Sequence, residues 1–175
     1  MKMSETIDYT NIDKAVALLG QGENVFITGP AGTGKSFILS VLKNSFKDYM
    51  TLTATTGIAS GNIGGTTIHA WSGIQQLQIP FPKILWKCKR DNIINCNLLV
   101  VDEISMLSAF MLEYLDKLFK MVRKNNYPFG GIQIVFIGDF LQLPPVANKE
   151  EIKDAEIVDD DSDDENNLND SDDDE

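Results

Sequence analysis

The octapeptide Gly29-Pro30-Ala31-Gly32-Thr33-Gly34-Lys35-Ser36 decides how the rest of this 175-residue chain is read. Its spacing is the phosphate-binding pattern G-x-x-x-x-G-K-[ST]. It stands between an apolar run, Val25 to Thr28, and a helical pattern that begins at Lys35. Glycines let a backbone wrap a phosphate, and N–H groups at a helix start point at the anion. All eight residues then line a nucleotide's phosphates. Lys35 reaches the β- and γ-phosphates, and the Ser36 hydroxyl is offered to Mg²⁺. The competing reading is a glycine-rich turn with an exposed lysine. A second motif downstream weighs against it.

That second motif is LLVVDEISML, Leu98 to Leu107. Four apolar residues run into Asp102 and Glu103, at what reads as the carboxyl end of a strand. Ligands of open α/β sheets sit outside such ends. Asp102 suits Mg²⁺, and Glu103 suits orienting or deprotonating an attacking water; phosphoryl hydrolysis needs both. A third stretch, IQIVFIGDFLQLPPV from Ile132 to Val146, ends an apolar run in Asp139 and then offers Gln142. Its amide can sense a γ-phosphate, or the segment is a strand with a proline-rich exit. A fourth, TATTGIASGNIGGTTIHAWSGI from Thr53 to Ile74, is dense in Thr, Ser and Gly before His69 and Trp71. Hydroxyls and N–H groups suit nucleic-acid backbone contacts, and an aromatic can stack on a base. The same residues also read as a glycine-rich loop with Trp71 in the core.

Four short apolar runs, Val25–Thr28, Thr51–Ala54, Leu98–Val101 and Ile132–Ile137, read as strands buried on both faces. Helical patterns lie over Ile12–Leu19, Lys35–Phe46 and Ala109–Lys124, the last with Ser108 as N-cap, and a short one over Thr67–Gly73. Pro80 and Pro82 break the segment from Gln75 to Ile94, where Lys83–Ile93 is open to a helical reading. The alternation predicts an α/β fold built on a parallel sheet flanked by helices.

The formal charge of -11 is uneven. Residues Glu150 to Glu175 hold fifteen acids and one lysine, whereas Met1 to Lys149 hold eleven acids and fourteen bases. The body, at +3, can therefore meet a polyanion. Asp159 to Glu175 is nearly all Asp, Glu, Asn and Ser, which predicts a disordered tail. No apolar run reaches membrane-span length, and the N-terminus lacks the features of a secretory signal or transit peptide. Two cysteines without metal-like spacing suit a reducing compartment, and one histidine excludes a His-rich metal site.

In this order the four stretches resemble the PIF-one-type family of superfamily 1 DNA helicases. GPAGTGKS matches motif I, the Thr53–Ile74 stretch motif Ia, VVDEISML motif II and FIGDFLQLPPV motif III. The resemblance spans about Gly22 to Val146. It implies a RecA-like P-loop ATPase domain over residues 1–148, the first motor domain only, followed by an acidic tail over 149–175. It also implies ATP and Mg²⁺ as cofactors and single-stranded DNA as partner. Full members unwind DNA 5′ to 3′ in repair, recombination and telomere maintenance. By motif, Gly29, Gly32, Gly34, Lys35 and Ser36 bind ATP, with Pro30, Ala31 and Thr33 between them. Asp102 and Ser36 hold Mg²⁺, Glu103 serves the water, Gln142 reads the γ-phosphate, and Thr66, Thr67 and His69 contact DNA.

The family's adenine-reading glutamine belongs near Asn11 to Ala15, but this chain has no glutamine before Gln21. Motif III is the last of the family's motifs within these 175 residues, and the expectation is of a first motor domain without its second. The expectation is that the chain does not unwind alone and turns over slowly, unless a second chain supplies the missing domain or its arginine finger. Arg90 and Arg123 are the only arginines here. A nucleotide-dependent DNA- or protein-binding pseudo-helicase module, whose tail recruits basic proteins, and an inactive truncated product are the alternative expectations. The expected location is the nucleus, with a mitochondrion or a viral or cytoplasmic replication site as alternatives.

The tail is a tethered polyanion competing for the body's cationic surface. Deleting Asp159 to Glu175 should raise affinity for oligothymidylate, most at low salt where screening is least. Fluorescence anisotropy across a salt series tests this; equal affinities at every salt concentration would exclude autoinhibition.

Overall fold

Leu98 to Val101 form the centre of a sheet because each side chain is buried, whichever face it meets. Leu98 and Val100 pack with Leu19, Ile27, Leu39 and Leu42, whereas Leu99 and Val101 pack with Ile93, Leu115, Leu118 and Phe119. The two-residue period of a strand sorts neighbours to opposite faces, so a continuous apolar run needs a helical layer on each.

The structure, a computed structural model, describes residues 10–74 and 87–139. Within them lie α1 (Thr10–Gly20), β1 (Val25–Thr28), α2 (Lys35–Ser45), β2 (Met50–Ala54), α3 (Gly57–Asn62) and β3 (Thr66–Thr67). Then follow α4 (Ile68–Ser72), α5 (Lys87–Asn95), β4 (Leu98–Asp102), α6 (Ala109–Arg123) and β5 (Gln133–Gly138), with 3₁₀ turns at Ile104–Met106 and Pro128–Gly131. The five strands are ordered β1-β5-β4-β2-β3, and every pair is parallel. Among the described residues β1 and β3 are the edges. Register pairs Thr28 with Gly138, and Ala54 with both Asp102 and Thr67. The strands' carboxyl ends therefore meet along one rim.

The expected α/β fold and its four strands are present. The structure adds α3 and β3 within the glycine-rich stretch Thr53–Ile74, which also reads as a loop in sequence. The helix α3 forms despite two glycines because tertiary contacts outweigh propensity. Thr56 Oγ1 caps it by accepting from Ala59 N at 3.2 Å, Ile63 anchors its exit in the core, and Lys43 Nζ donates to the Ile63 carbonyl at 2.8 Å. Gly65 then lies so close to β2 that a Cβ would stand 2.4 Å from the Leu52 carbonyl oxygen. The helix expected over Thr67–Gly73 is α4, with Thr67 as its N-cap. Lys89 and Asn92 of α5 donate to the α4 carbonyls of Ala70 and Trp71, which fixes α4 against the body.

Ser108 caps α6, accepting from Met111 N at 3.2 Å. Trp71 is buried edge-on against Phe119, with centroids 5.8 Å apart, so it is a core residue rather than a base-stacking one. Arg123 donates to the carbonyls of Ile93 and Cys96 and closes the end of α5. At the other end of the sheet, a Cβ on Gly138 would stand 2.8 Å from Ile104 Cγ2, so the last residue of β5 presses on the turn after β4. No helix among the described residues is long and apolar enough to cross a membrane. The unsettled part of Gln75 to Ile94, the proline-rich exit and the acidic tail lie outside the described residues, apart from α5.

Gly65→Ala should cost about 1–3 kcal/mol, because a backbone oxygen cannot move aside as a flexible side chain would. Urea melts measure it, and a variant as stable as the parent would remove the close approach from the account of β3.

Candidate nucleotide and DNA site

The described part of each stretch singled out from the sequence meets the carboxyl rim. The P-loop, Gly29 to Ser36, leaves β1 and enters α2. Gly32 and Gly34 have φ of 81° and 88°, a left-handed backbone that only glycine adopts without strain. Gly34 is the N-cap of α2, and no side chain caps that helix. By contrast α3, α4 and α6 are capped by Thr56, Thr67 and Ser108. The first N–H groups of α2 thus keep their capacity for an anion. Thr33 Oγ1 donates to the Pro30 carbonyl at 2.8 Å, closing the loop on itself. Lys35 Nζ donates to the carbonyls of Gly29 (2.5 Å) and Pro30 (2.9 Å). Ser36 and Ala31 are exposed. A cleft of about 680 Å³ opens beside the loop, with Asn11, Lys14 and Leu18 of α1 on one wall and Thr28, Pro30 and Lys35 on the other.

Asp102 ends β4 in partial burial. Desolvation raises its pKa, while the Glu103 N–H bonded to it and the Lys35 charge pull the other way. Lys35 and Asp102 therefore act on each other across the rim. Glu103 has φ 54° and ψ 43°, a left-handed conformation rare outside glycine. It is held from both ends: its N–H donates to Asp102 Oδ1 at 2.9 Å, and its carbonyl accepts from Thr55 Oγ1 at 2.9 Å. Thr55, at the exit of β2, also donates its N–H to the Asp102 carbonyl at 3.1 Å. Nothing in the sequence distinguished Thr55 from the threonines around it; only the β2–β4 register does.

Asp139 is buried immediately after β5. Gln142 lies outside the described residues. On the far side of the rim, Thr66 is exposed and Thr67 partly buried, its hydroxyl accepting from Ala70 N at 3.1 Å. Burial of His69 lowers its pKa, so the imidazole is neutral near pH 7. Lys35, Asp102 and Glu103 thus form one group, while Thr66, Thr67 and His69 form a second at β3, two strands away from β4. Among the described residues no cluster of three or more His, Cys, Asp or Glu has a metal-holding arrangement. A cation here would need phosphate or water oxygens besides Ser36 and Asp102, which is how Mg²⁺ is ordinarily held.

Comparison with known proteins places this geometry. The model of the PIF1-like helicase family matches residues 5–162. The human ATP-dependent DNA helicase PIF1 is 45% identical over 132 residues, covering 73% of this chain and 21% of that protein. A Bacteroides Pif1 solved bound to ssDNA superposes with a TM-score of 0.77 at 34% identity, covering 87% of this chain and 37% of that one. A Bacteroides sp. Pif1 in complex with ADP-AlF4 gives 0.75 at 34% identity, covering 89% and 37%. The chain spans about a fifth of the length of the curated relatives it matches.

The raised pKa of Asp102 makes a signed prediction for the ligand-free chain in EDTA. The folded state holds this proton more tightly than the unfolded one. Stability from Asp102 is thus greatest below the ordinary carboxylate pKa and is lost as pH rises through the higher folded value. Asp102→Asn, whose Oδ1 can still accept from Glu103 N, should melt higher than the parent at pH 7. That advantage should shrink on acidification. Equal melting temperatures at pH 7 would contradict the burial assigned to the carboxylate.

Proposed function

We propose, from the premise that the chain belongs to the PIF1-like helicase family, that it carries the ATP-binding and DNA-gripping rim of a helicase motor. The observation that carries this reading is the convergence of an uncapped helix start, Lys35 and the Asp102–Glu103 turn at one end of a parallel sheet. The residues fit MgATP. Left-handed Gly32 and Gly34 turn the loop so that phosphate can sit on backbone N–H groups, and the Lys35 amine rests on carbonyls from which a phosphate can draw it.

In this reading Gly29 to Ser36 wrap the phosphates and Lys35 balances the charge at the β- and γ-positions. Ser36 and Asp102 would hold Mg²⁺, which when bound supplies positive charge against the phosphate oxygens. Glu103 orients or deprotonates the attacking water, a role its fixed backbone suits because the carboxylate starts from a defined place. Gln142 reads the γ-phosphate. The cleft between α1 and the loop receives the rest of the nucleotide. Thr66, Thr67 and His69 take single-stranded DNA. A neutral His69 contributes hydrogen bonding and stacking rather than charge. The ADP-AlF4 and ssDNA complexes of the Bacteroides proteins support these two ligands for the two halves of the rim.

We assign residues 1–148 to this ATPase domain and 149–175 to an acidic tail that meets basic proteins. The whole-protein activity that suits the domain is 5′-to-3′ unwinding in DNA repair, recombination and telomere maintenance, in the nucleus. A second motor domain, in the same protein or another chain, completes the engine.

Lys35→Ala removes the only side-chain cation of the loop. MgATP affinity should fall by more than about ten-fold, the loss expected for charge-assisted hydrogen bonds to phosphate. Calorimetric titration reads it, and an unchanged dissociation constant would take Lys35 out of the nucleotide site.

A further inference from the structure

We infer that Thr55 is a positioning residue that ties Glu103 to the DNA side of the rim, so that nucleotide and single-stranded DNA sense each other through the β2–β4 corner. This rests on the functional reading above and adds to it a route between its two sites.

Thr53 and Ala54, the two residues before Thr55, are register partners of Thr66 and Thr67 on β3. Ala54 also pairs with Asp102 on β4. Thr55 therefore follows directly on the strand that links the DNA-side residues to the metal-side residue. Its own two bonds complete the link: N–H to the Asp102 carbonyl at 3.1 Å and Oγ1 to the Glu103 carbonyl at 2.9 Å. The neighbouring hydroxyls have other tasks. Thr53 Oγ1 is buried on the Val100 carbonyl at 2.6 Å, and Thr56 caps α3. Thr55 alone among them reaches Glu103.

Two features leave the turn it holds with something to gain by moving. A non-glycine residue at φ 54° persists only while its surroundings hold it, and Thr55 and Asp102 supply that hold. Two residues on, the Ser105 hydroxyl is buried and has no hydrogen-bond partner among the described residues. A turn that stores backbone strain and an unpaired buried hydroxyl can relax both by rotating, and rotation re-aims the Glu103 carboxylate. Thr55 Oγ1 resists that rotation. DNA drawing on β3 shifts the β2 exit, alters this bond and biases the turn. Nucleotide acting at Asp102 biases the same turn from the other side, and such coupling is reciprocal.

The test uses the full chain, fluorescein-labelled oligothymidylate and a Mg²⁺-bound non-hydrolysable ATP analogue. In the parent, saturating analogue should change oligothymidylate affinity by at least about five-fold, the lower end of ordinary allosteric coupling. In Thr55→Val, matched in shape but lacking the hydroxyl, each ligand alone should bind as in the parent, and the change should fall below about two-fold. Thr55→Ser should restore it, since a purely packing role would not follow the hydroxyl. In the parent, oligothymidylate alone should also alter hydrogen exchange over Glu103 to Ser105, which keeps the test independent of how the variants fold. Undiminished coupling in Thr55→Val, or unaltered exchange with DNA bound, overturns the role of Thr55 while the functional reading stands. A parent that binds neither ligand overturns that reading, and this inference with it.

Discussion

Parallel pairing of β4 between β5 and β2 is the constraint on which the rest of the molecule depends. A parallel ladder brings all the strand carboxyl ends to one side, and each connection must then return across a face of the sheet. With both faces covered by helices, the polar business of the chain is confined to the rim. The P-loop, the Asp102–Glu103 turn, Asp139 and the Thr55–Thr56 corner are neighbours because of register, although more than a hundred residues separate the first from the last in sequence.

Much of this was legible beforehand. The runs at Val25–Thr28 and Leu98–Val101 read as strands because buried parallel strands have no polar alternation to blur them. Ser108 announced α6 because its hydroxyl precedes a strong apolar stripe. The sheet sets the motif III strand between the P-loop strand and the Leu98 strand, an order that no single run announces. What stayed hidden has a common cause. The helix α3 is made by a cap, an anchor at Ile63 and a lysine from α2, and none of these is a local preference of Gly57 to Asn62. Two-residue β3 is too short to leave a period. Thr55 has no signature in sequence, since its meaning comes from residues 47 and 48 positions away.

The resemblance to PIF-one-type helicases was carried by motif strings, and family membership and superposition bear it out. The site reading gains from the structure mainly in physical detail. Asp102 is half-buried: desolvation raises its pKa, while the adjacent N–H and a lysine charge pull the other way. Of the two readings the sequence left open for Trp71, the core one holds: its ring meets Phe119 and anchors α4 to the body.

The contact between Gly138 and Ile104 has a further meaning. A methyl group at Gly138 would meet Ile104 Cγ2 at 2.8 Å and the Ser105 nitrogen at 3.2 Å, leaving no slack between the end of β5 and the turn that follows Glu103. Damage at this seam would not remain a matter of packing. At most core positions an overlarge side chain is absorbed by the layer around it, and fold and chemistry fail separately. At Gly138 the three atoms nearest an added methyl all belong to that turn, so crowding there bears directly on the aim of a carboxylate. Tolerance to mutation here is set by geometry at the rim, not by how much stability the sheet holds in reserve.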